Sequence, residues 1–285
     1  MVMYAGRVRI HRRTKPWRRA RGNAAGHAEA AAGCYKRRVT NHPPLTARHL
    51  RLASGLVLLT YLSMHLLTHA TGLVSLPVAE AGLRLTMALW QSPPGTVALY
   101  GAFALHIALA LRTIYLRRHW RLPAIEWIRL WAGFSLPLLL IGHVVATRVA
   151  VARYGFAPSY AKVITGLIAN GAQGWQIALL APGWVHGCLG VWLAIRQRAL
   201  ARRLRPLLLA LLVVVPLLSA AGFIRMSQAI SERGPVVARP DPTRPPALND
   251  WRRELLGAYA LLVAGAIVAG RWRKASPTDA APDRR

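Results

Sequence analysis

Six stretches of this chain are long and apolar enough to cross a membrane, and no other feature limits its fold more. A spanning helix needs about 20 mostly apolar residues, and windows near 50–72, 95–116, 130–150, 174–195, 206–222 and 255–270 supply them. The nine acidic residues, Glu29, Glu80, Glu126, Glu232, Asp241, Asp250, Glu254, Asp279 and Asp283, all fall outside these windows, as the cost of a carboxylate in lipid requires. Backbone groups in lipid must bond within the protein, which leaves helices as the form such windows take. The expected fold is therefore an all-α membrane protein, a bundle of six transmembrane helices over residues 47–272, with a basic tail at 1–46 and a short tail at 273–285.

Charge sets the orientation. The chain is 54% hydrophobic yet carries a formal net charge of +29, from 38 Lys+Arg against 9 Asp+Glu. In a soluble protein that excess points to nucleic acid, whose phosphates exchange counterions for basic side chains. In a chain this apolar it reads as topogenic charge gathered in the loops of one side. With both termini cytoplasmic, 28 of the 38 basic residues fall on the inner side and 10 on the outer. The turns Arg117-Arg118-His119-Trp120-Arg121 and Arg202-Arg203-Leu204-Arg205 are the clearest anchors. Nucleic acid is accordingly not expected as a partner, and the lipid bilayer is.

The first 46 residues are Arg-rich and acid-poor, with no apolar stretch of the kind a secretory signal needs. They resemble an organellar transit peptide in composition, but read better as a disordered cytoplasmic tail ended by Pro43-Pro44, with translation from a start upstream of the functional one as a further reading. Arginine outnumbers lysine 34 to 4, the usage of a GC-rich bacterial gene, so the expected location is a bacterial cytoplasmic membrane. Residues 77–91 are too short and polar to cross and predict an amphipathic helix on the outer surface. The Pro-rich outer loop at 227–250 is expected to lack regular structure. Cys34 and Cys188 have no metal-ligand spacing, and Cys188 reads as a small packing residue.

The candidate chemistry lies in the histidines. His11, His27, His42, His49 and His119 belong to the tail, its junction or a basic turn. His65 and His69 lie in the first window, His106 in the second, His143 in the third and His186 in the fourth. Ionisable residues inside a membrane span are functional candidates by default. At about 1.5 Å per residue, His65 and His143 sit about 20 Å from the inner edge, and His106 and His186 about 15 Å by the same rise. Two depth-matched pairs result, one on helices one and three, the other on helices two and four. A b-type haem takes two neutral imidazoles facing each other across the macrocycle. The pairs therefore predict an outer haem held by His65 and His143 and an inner haem held by His106 and His186. Gly101, Gly142, Gly187 and Gly190 would let a porphyrin approach the backbone, and Arg112 and Arg148 would pair with inner and outer propionates. The competing reading is that each histidine only hydrogen-bonds a neighbouring helix. A proton-relay transporter would also place Asp, Glu or Lys inside the bundle, and the windows have none.

This layout resembles the dihaem cytochrome b anchors of fumarate reductase and succinate dehydrogenase. Arg51-Leu-Ala-Ser54-Gly55, followed by His65 ten residues after the glycine, is similar to the family's Ser/Thr-Gly entry. His186-Gly187-Cys188-Leu189-Gly190 is similar to its His-Gly-x-x-Gly, and His106 and His143 match in placement. The ten-residue spacing implies His65 rather than His69 as ligand, with His69 beside the site or at the outer surface. The resemblance covers residues 48–225. The sixth helix, the long outer loop before it and the segment His65-Leu-Leu-Thr-His69-Ala-Thr-Gly72-Leu resemble more the N-terminal membrane anchors of certain bacterial class III adenylate cyclases. That resemblance implies an anchor that senses the redox state of the quinone pool and passes it to a cytoplasmic catalytic domain. Residues 271–285 after the last window hold no such domain.

Two functions follow as expectations. One is a redox-sensing anchor acting on a cyclase-like effector. The other is an electron-transfer subunit that docks a flavoprotein/iron–sulfur partner; a homodimer is a further option, and a non-haem structural or transport bundle is the remaining reading. By the same resemblance Arg48, His49, Arg51 and Ser54 mark a quinone site at the inner mouth of the first helix, where snorkelling at the interface is the plainer role. No hydrolytic or nucleophilic constellation is present in the sequence.

Overall fold

The structure is a computed structural model that describes residues 46–117, 119–156, 159–233 and 247–275. Among the described residues every regular element is helical. These are α1 (Ala47–Ala70), α2 (Leu76–Trp90), α3 (Pro93–Leu116), α4 (Ala124–Val144), α5 (Ala150–Tyr154), α6 (Tyr160–Ala169), α7 (Gln173–Ile195), α8 (Ala199–Arg203), α9 (Arg205–Ser231) and α10 (Ala247–Ala275). A five-residue π-helical turn, Val145–Val149, joins α4 to α5 without breaking the rod. Six rods are long and apolar enough to span a membrane: Ala47–Leu73, Pro93–Leu116, Ala124–Tyr154, Gln173–Ile195, Arg205–Ser231 and Ala247–Arg273. Each contains one window expected from the sequence.

Local chemistry starts the helices. Thr46, Ser75, Ser92 and Ser159 each accept a hydrogen bond from the backbone N–H three residues on, which satisfies one of the free donors of a first turn. Pro77 and Pro93 sit in first turns where a missing N–H costs nothing. Gly155 closes α5 in the left-handed region, at φ 69°, a conformation that other residues resist.

The helix α1 is the hub: it packs on α3, α7 and α9, while α10 bridges α3 and α4, and α4 packs along α7. Small residues let α9 approach α1. A Cβ on Gly222 would lie 2.1 Å from the His69 carbonyl oxygen, and one on Gly72 would lie 2.8 Å from the Gly222 carbonyl oxygen. Close backbone approach through small residues is how helices bind each other in lipid. The outer faces stay apolar: Leu207, Leu211, Val214 and Leu218 are exposed along α9, and Leu261 and Leu262 along α10. Exposing a leucine to water forgoes about 2 kcal/mol, so a surface of this kind is stable against lipid chains. Trp120, Trp127 and Trp131 stack in a ladder with centroids 6.0 and 6.4 Å apart at the basic end of the bundle, where an interfacial belt is expected.

The connections between spans add detail to the expectations from sequence and alter one. The amphipathic α2 forms where the sequence predicts it and packs against α1 and α6. Its Ala79 is fully buried with Tyr160, Ile164, Phe223 and Met226. A ten-residue helix, α6, fills the connection between the third and fourth spans, too short to register as a window. The outer loop is shorter than expected, because Ser227–Ser231 continue α9 and Ala247–Asp250 open α10. Arg225 and Ser227 look like an exit from lipid, but the buried face of Ser219, Gly222, Phe223 and Met226 carries the helix on to Ser231. The expected tails at 1–45 and 276–285, and the Pro-rich part of the loop at 234–246, lie outside the described residues.

Candidate functional site

The four histidines assigned as ligands come together in the two pairs expected. At the basic end, the His106 ring on α3 and the His186 ring on α7 have centroids 6.0 Å apart. At the opposite end His65 on α1 and His143 on α4 have centroids 5.8 Å apart. An imidazole nitrogen lies about 2.0–2.1 Å from a bound transition metal, so two rings on opposite sides of one ion have centroids roughly 6 Å apart by the same bond length.

Hydrogen bonds fix the tautomers. His186 Nδ1 is 2.9 Å from the Arg129 carbonyl oxygen, which only accepts, so Nδ1 carries the proton and Nε2 the lone pair. Ser54 Oγ donates to the Arg51 carbonyl (3.1 Å) and therefore accepts from His106 Nδ1 (3.1 Å), with the same result. His143 Nδ1 donates to Gln176 Oε1 at 2.9 Å. Metal-bound histidines are oriented in this way, by giving the second ring N–H to a carbonyl or similar oxygen. The inter-helix hydrogen bonds of the plainer reading are thus present, and they leave Nε2 as the unused nitrogen in three rings. His65 departs from this. Its Nε2 lies 3.3 Å from His69 Nε2, and His69 Nδ1 lies 2.9 Å from the Tyr160 hydroxyl. Use of His65 Nε2 as a ligand requires release of His69.

Among the described residues no group of three or more His, Cys, Asp or Glu side chains is placed to hold a metal ion. A bare ion usually takes three or four protein ligands. Two imidazoles suffice for a haem iron, whose macrocycle provides the other four nitrogens. The charges near the His106–His186 pair suit an anionic group. Arg51 lies near Arg112 and Arg129, and among the described residues none of the three pairs with a carboxylate. The Arg51 Nη2 group donates to the Leu109 carbonyl and to Thr113 Oγ1 on α3, while its Nε is buried with no partner. An unmet buried donor is costly, and a propionate would meet it. At the other pair, the π turn that follows His143 directs Arg148 toward α3, where its guanidinium lies 5.9 Å from the Tyr100 ring. Tyr100, Val144, Arg148, Arg153 and Trp251 line a cavity of about 330 Å³ there. π turns inside helices are often found at functional sites.

No family model, curated protein or solved structure matches the chain.

Other expected site residues have mixed placements. Gly101 and Gly190 have open space where a Cβ would be, and a Cβ on Gly142 would meet only Arg252 Cδ, at 3.9 Å, whereas a Cβ on Gly187 would lie 2.7 Å from Leu59 Cδ1. Arg112 is exposed. The quinone set does not converge. Arg48 and His49 are exposed on the first turn of α1, Arg51 is bound to α3, and Ser54 is buried against His106. Two glycines that sequence reading did not assign to the site are the ones against the rings. Gly55 would place a Cβ 3.2 Å from His106 Cε1, and Gly133 one 2.6 Å from His186 Cε1. Gly133 lies one helical turn after Arg129, whose carbonyl holds the same ring; that i, i+4 spacing was the available signal.

Around His69 the chain of contacts reaches α2. Glu80 Oε1 accepts from Ser159 Oγ (2.9 Å) and the Ala161 N–H (3.0 Å). Partial burial pushes the Glu80 carboxyl up, but these bonds, one from the Tyr160 N–H and the Arg84 charge together hold it below its ordinary value. Burial, with the Glu80 charge, raises the Tyr160 phenol, so it stays a neutral hydrogen-bonding group at physiological pH.

Proposed function

We propose that this chain is a membrane cytochrome that holds two b-type haems and exchanges electrons with the quinone pool, acting as a redox-sensing anchor for a cytoplasmic effector. The observation that carries the reading is the His106–His186 pair: two imidazoles on different spans, 6.0 Å between centroids, each with Nδ1–H given to an oxygen. His106 and His186 would hold one haem near Arg51, Arg112 and Arg129. His143, with His65 once it leaves His69, would hold the other near Arg148. A haem so bound supplies a one-electron carrier; the chain's own part is to orient the imidazoles, counter the propionate charge and exclude water. The positive-inside count supports an orientation with both termini and the His106–His186 pair toward the cytoplasm, in this reading that of a bacterial cell.

Packing of the sixth span favours sensing over simple electron transfer. α10 touches α3 and α4, one histidine-bearing helix from each pair, and runs on to Ala275 at the basic end. A shift of either helix is therefore felt directly by the segment that leads toward an effector. The electron-transfer subunit of a succinate dehydrogenase/fumarate reductase-like complex is the alternative. The test is quinol-driven reduction of the full chain in lipid nanodiscs, followed at the haem absorption bands. Reduction by quinol supports the reading; a chain without haem, or with haem that dithionite reduces and quinol does not, overturns it. Copurification with a flavoprotein in place of a cyclase would favour the alternative.

A further inference from the structure

We infer that the turn between α7 and α9 is a binding site for the phosphate headgroup of an anionic phospholipid. The chain leaves α7 at Ile195 and re-enters a span at Arg205. Five arginines, Arg196, Arg198, Arg202, Arg203 and Arg205, fall within these ten residues, and no Asp or Glu occurs between Glu126 and Glu232. Three of them, all exposed, face one open depression. Arg196, Arg202 and Arg205, with Trp192 and Gln197, line a cavity of about 590 Å³, and Arg202 Nη1 reaches back to the Gln197 carbonyl at 3.4 Å.

Three exposed guanidiniums line one open cavity with no carboxylate among the lining residues, a concentration of like charge that an anion would join. Guanidinium is the side chain whose planar fork suits phosphate oxygens, and basic pockets between spanning helices on this kind of surface take phospholipid headgroups. The surroundings select a lipid over free phosphate. Trp192 sits one turn inside the end of α7, at the depth where indoles meet headgroups. Leu204, Leu207 and Leu211 are exposed on and just before the first turns of α9, an apolar track on which acyl chains can lie once the phosphate is held.

The test compares two double variants of the full chain, R202Q/R205Q within the cavity and R198Q/R203Q outside its lining but in the same turn. Each loses the same charge. Phosphatidylglycerol and phosphatidylcholine are titrated onto detergent-purified protein, with bound lipid read by native mass spectrometry and by the shift in melting temperature. Each guanidinium near an anionic headgroup is worth about fivefold in affinity, so R202Q/R205Q is expected to lose roughly 25-fold in phosphatidylglycerol binding on the same scale. R198Q/R203Q is expected to keep the affinity of the parent, and phosphatidylcholine to be unaffected by either. Equal losses in the two variants, or no preference of the parent for phosphatidylglycerol, would overturn the site. Displacement of the lipid by millimolar inorganic phosphate would overturn the lipid assignment in favour of a free anion. If R202Q/R205Q fails to fold, R202Q alone, expected to lose about fivefold, serves the same comparison.

Discussion

On the proposed two-haem reading, replacing Gly133 by alanine should weaken the haem assigned to His106 and His186 and spare the one assigned to His65 and His143. The added methyl would sit 2.6 Å from His186 Cε1 and 2.7 Å from its Nδ1, whereas ordinary contact starts near 3.4 Å. The ring must therefore retreat by about 0.8 Å, several times the roughly 0.2 Å within which metal–ligand distances hold. Moving α4 away gives no relief. The Arg129 carbonyl that holds the ring lies on the same face of α4, one turn earlier, so the acceptor leaves with the methyl. Overpacking of this kind costs about 1–3 kcal/mol, and at 1.4 kcal/mol per factor of ten that weakens haem affinity by roughly 5- to 150-fold. Gly55→Ala is the internal comparison: its methyl would meet His106 Cε1 at 3.2 Å, which a shift of a few tenths of an ångström relieves. Haem per chain, measured by pyridine haemochrome on detergent-purified protein, should fall from two to one in Gly133→Ala and stay at two in Gly55→Ala. Two haems with an unaltered spectrum in Gly133→Ala, or equal damage from both variants, would refute the reasoning.

Other perturbations separate fold from site. Ser54→Ala removes the acceptor for His106 Nδ1–H, and loss of such an orienting partner typically weakens a metal site about 10- to 100-fold; haem retention during dilution should show it, while helicity stays unchanged. Gly222→Ala drives a methyl to 2.1 Å from the His69 carbonyl oxygen, so α9 must part from α1 at a cost of about 1–3 kcal/mol, seen as a lower melting temperature in detergent. Glu80 has a folded pKa below its ordinary 4.5, so its support of the α2–α6 contact is present above that pH and is lost as pH falls through the folded value. Protection of α2 against proteolysis should accordingly drop in acid, and Glu80→Gln should remove most of that pH dependence.

The number and order of the spans were legible because lipid leaves so few choices: windows of apolar residues free of carboxylates had to become helices. The pairing of histidines was legible for a related reason, since depth along a straight helix follows from residue count alone, and His106 with His186 and His65 with His143 are the pairs brought together. What packs around the rings was not. Ser54 read as part of a ligand-binding mouth, yet it is buried and sets the His106 tautomer. Gly133 and Gln176 carry no motif, and their roles depend on the rotation of α4 against α7. His69 Nε2 bonding to His65 is an i, i+4 contact on one helix face and was open to sequence reading, but the Tyr160 hydroxyl that completes it comes from α6, a helix that no window marked. Helix ends were the least legible part, because tertiary packing extends α9 past its apolar window and α10 begins in charged residues.

The central claim is two haems on two histidine pairs, and its most direct test is a reduced-minus-oxidised visible spectrum of the purified full chain with haem counted per chain. The expected result is b-type bands and two haems, falling to one in His106→Ala or His186→Ala and to one, with a different residual band, in His143→Ala. A chain that purifies without haem, or one whose haem content ignores His106→Ala and His186→Ala, would contradict it.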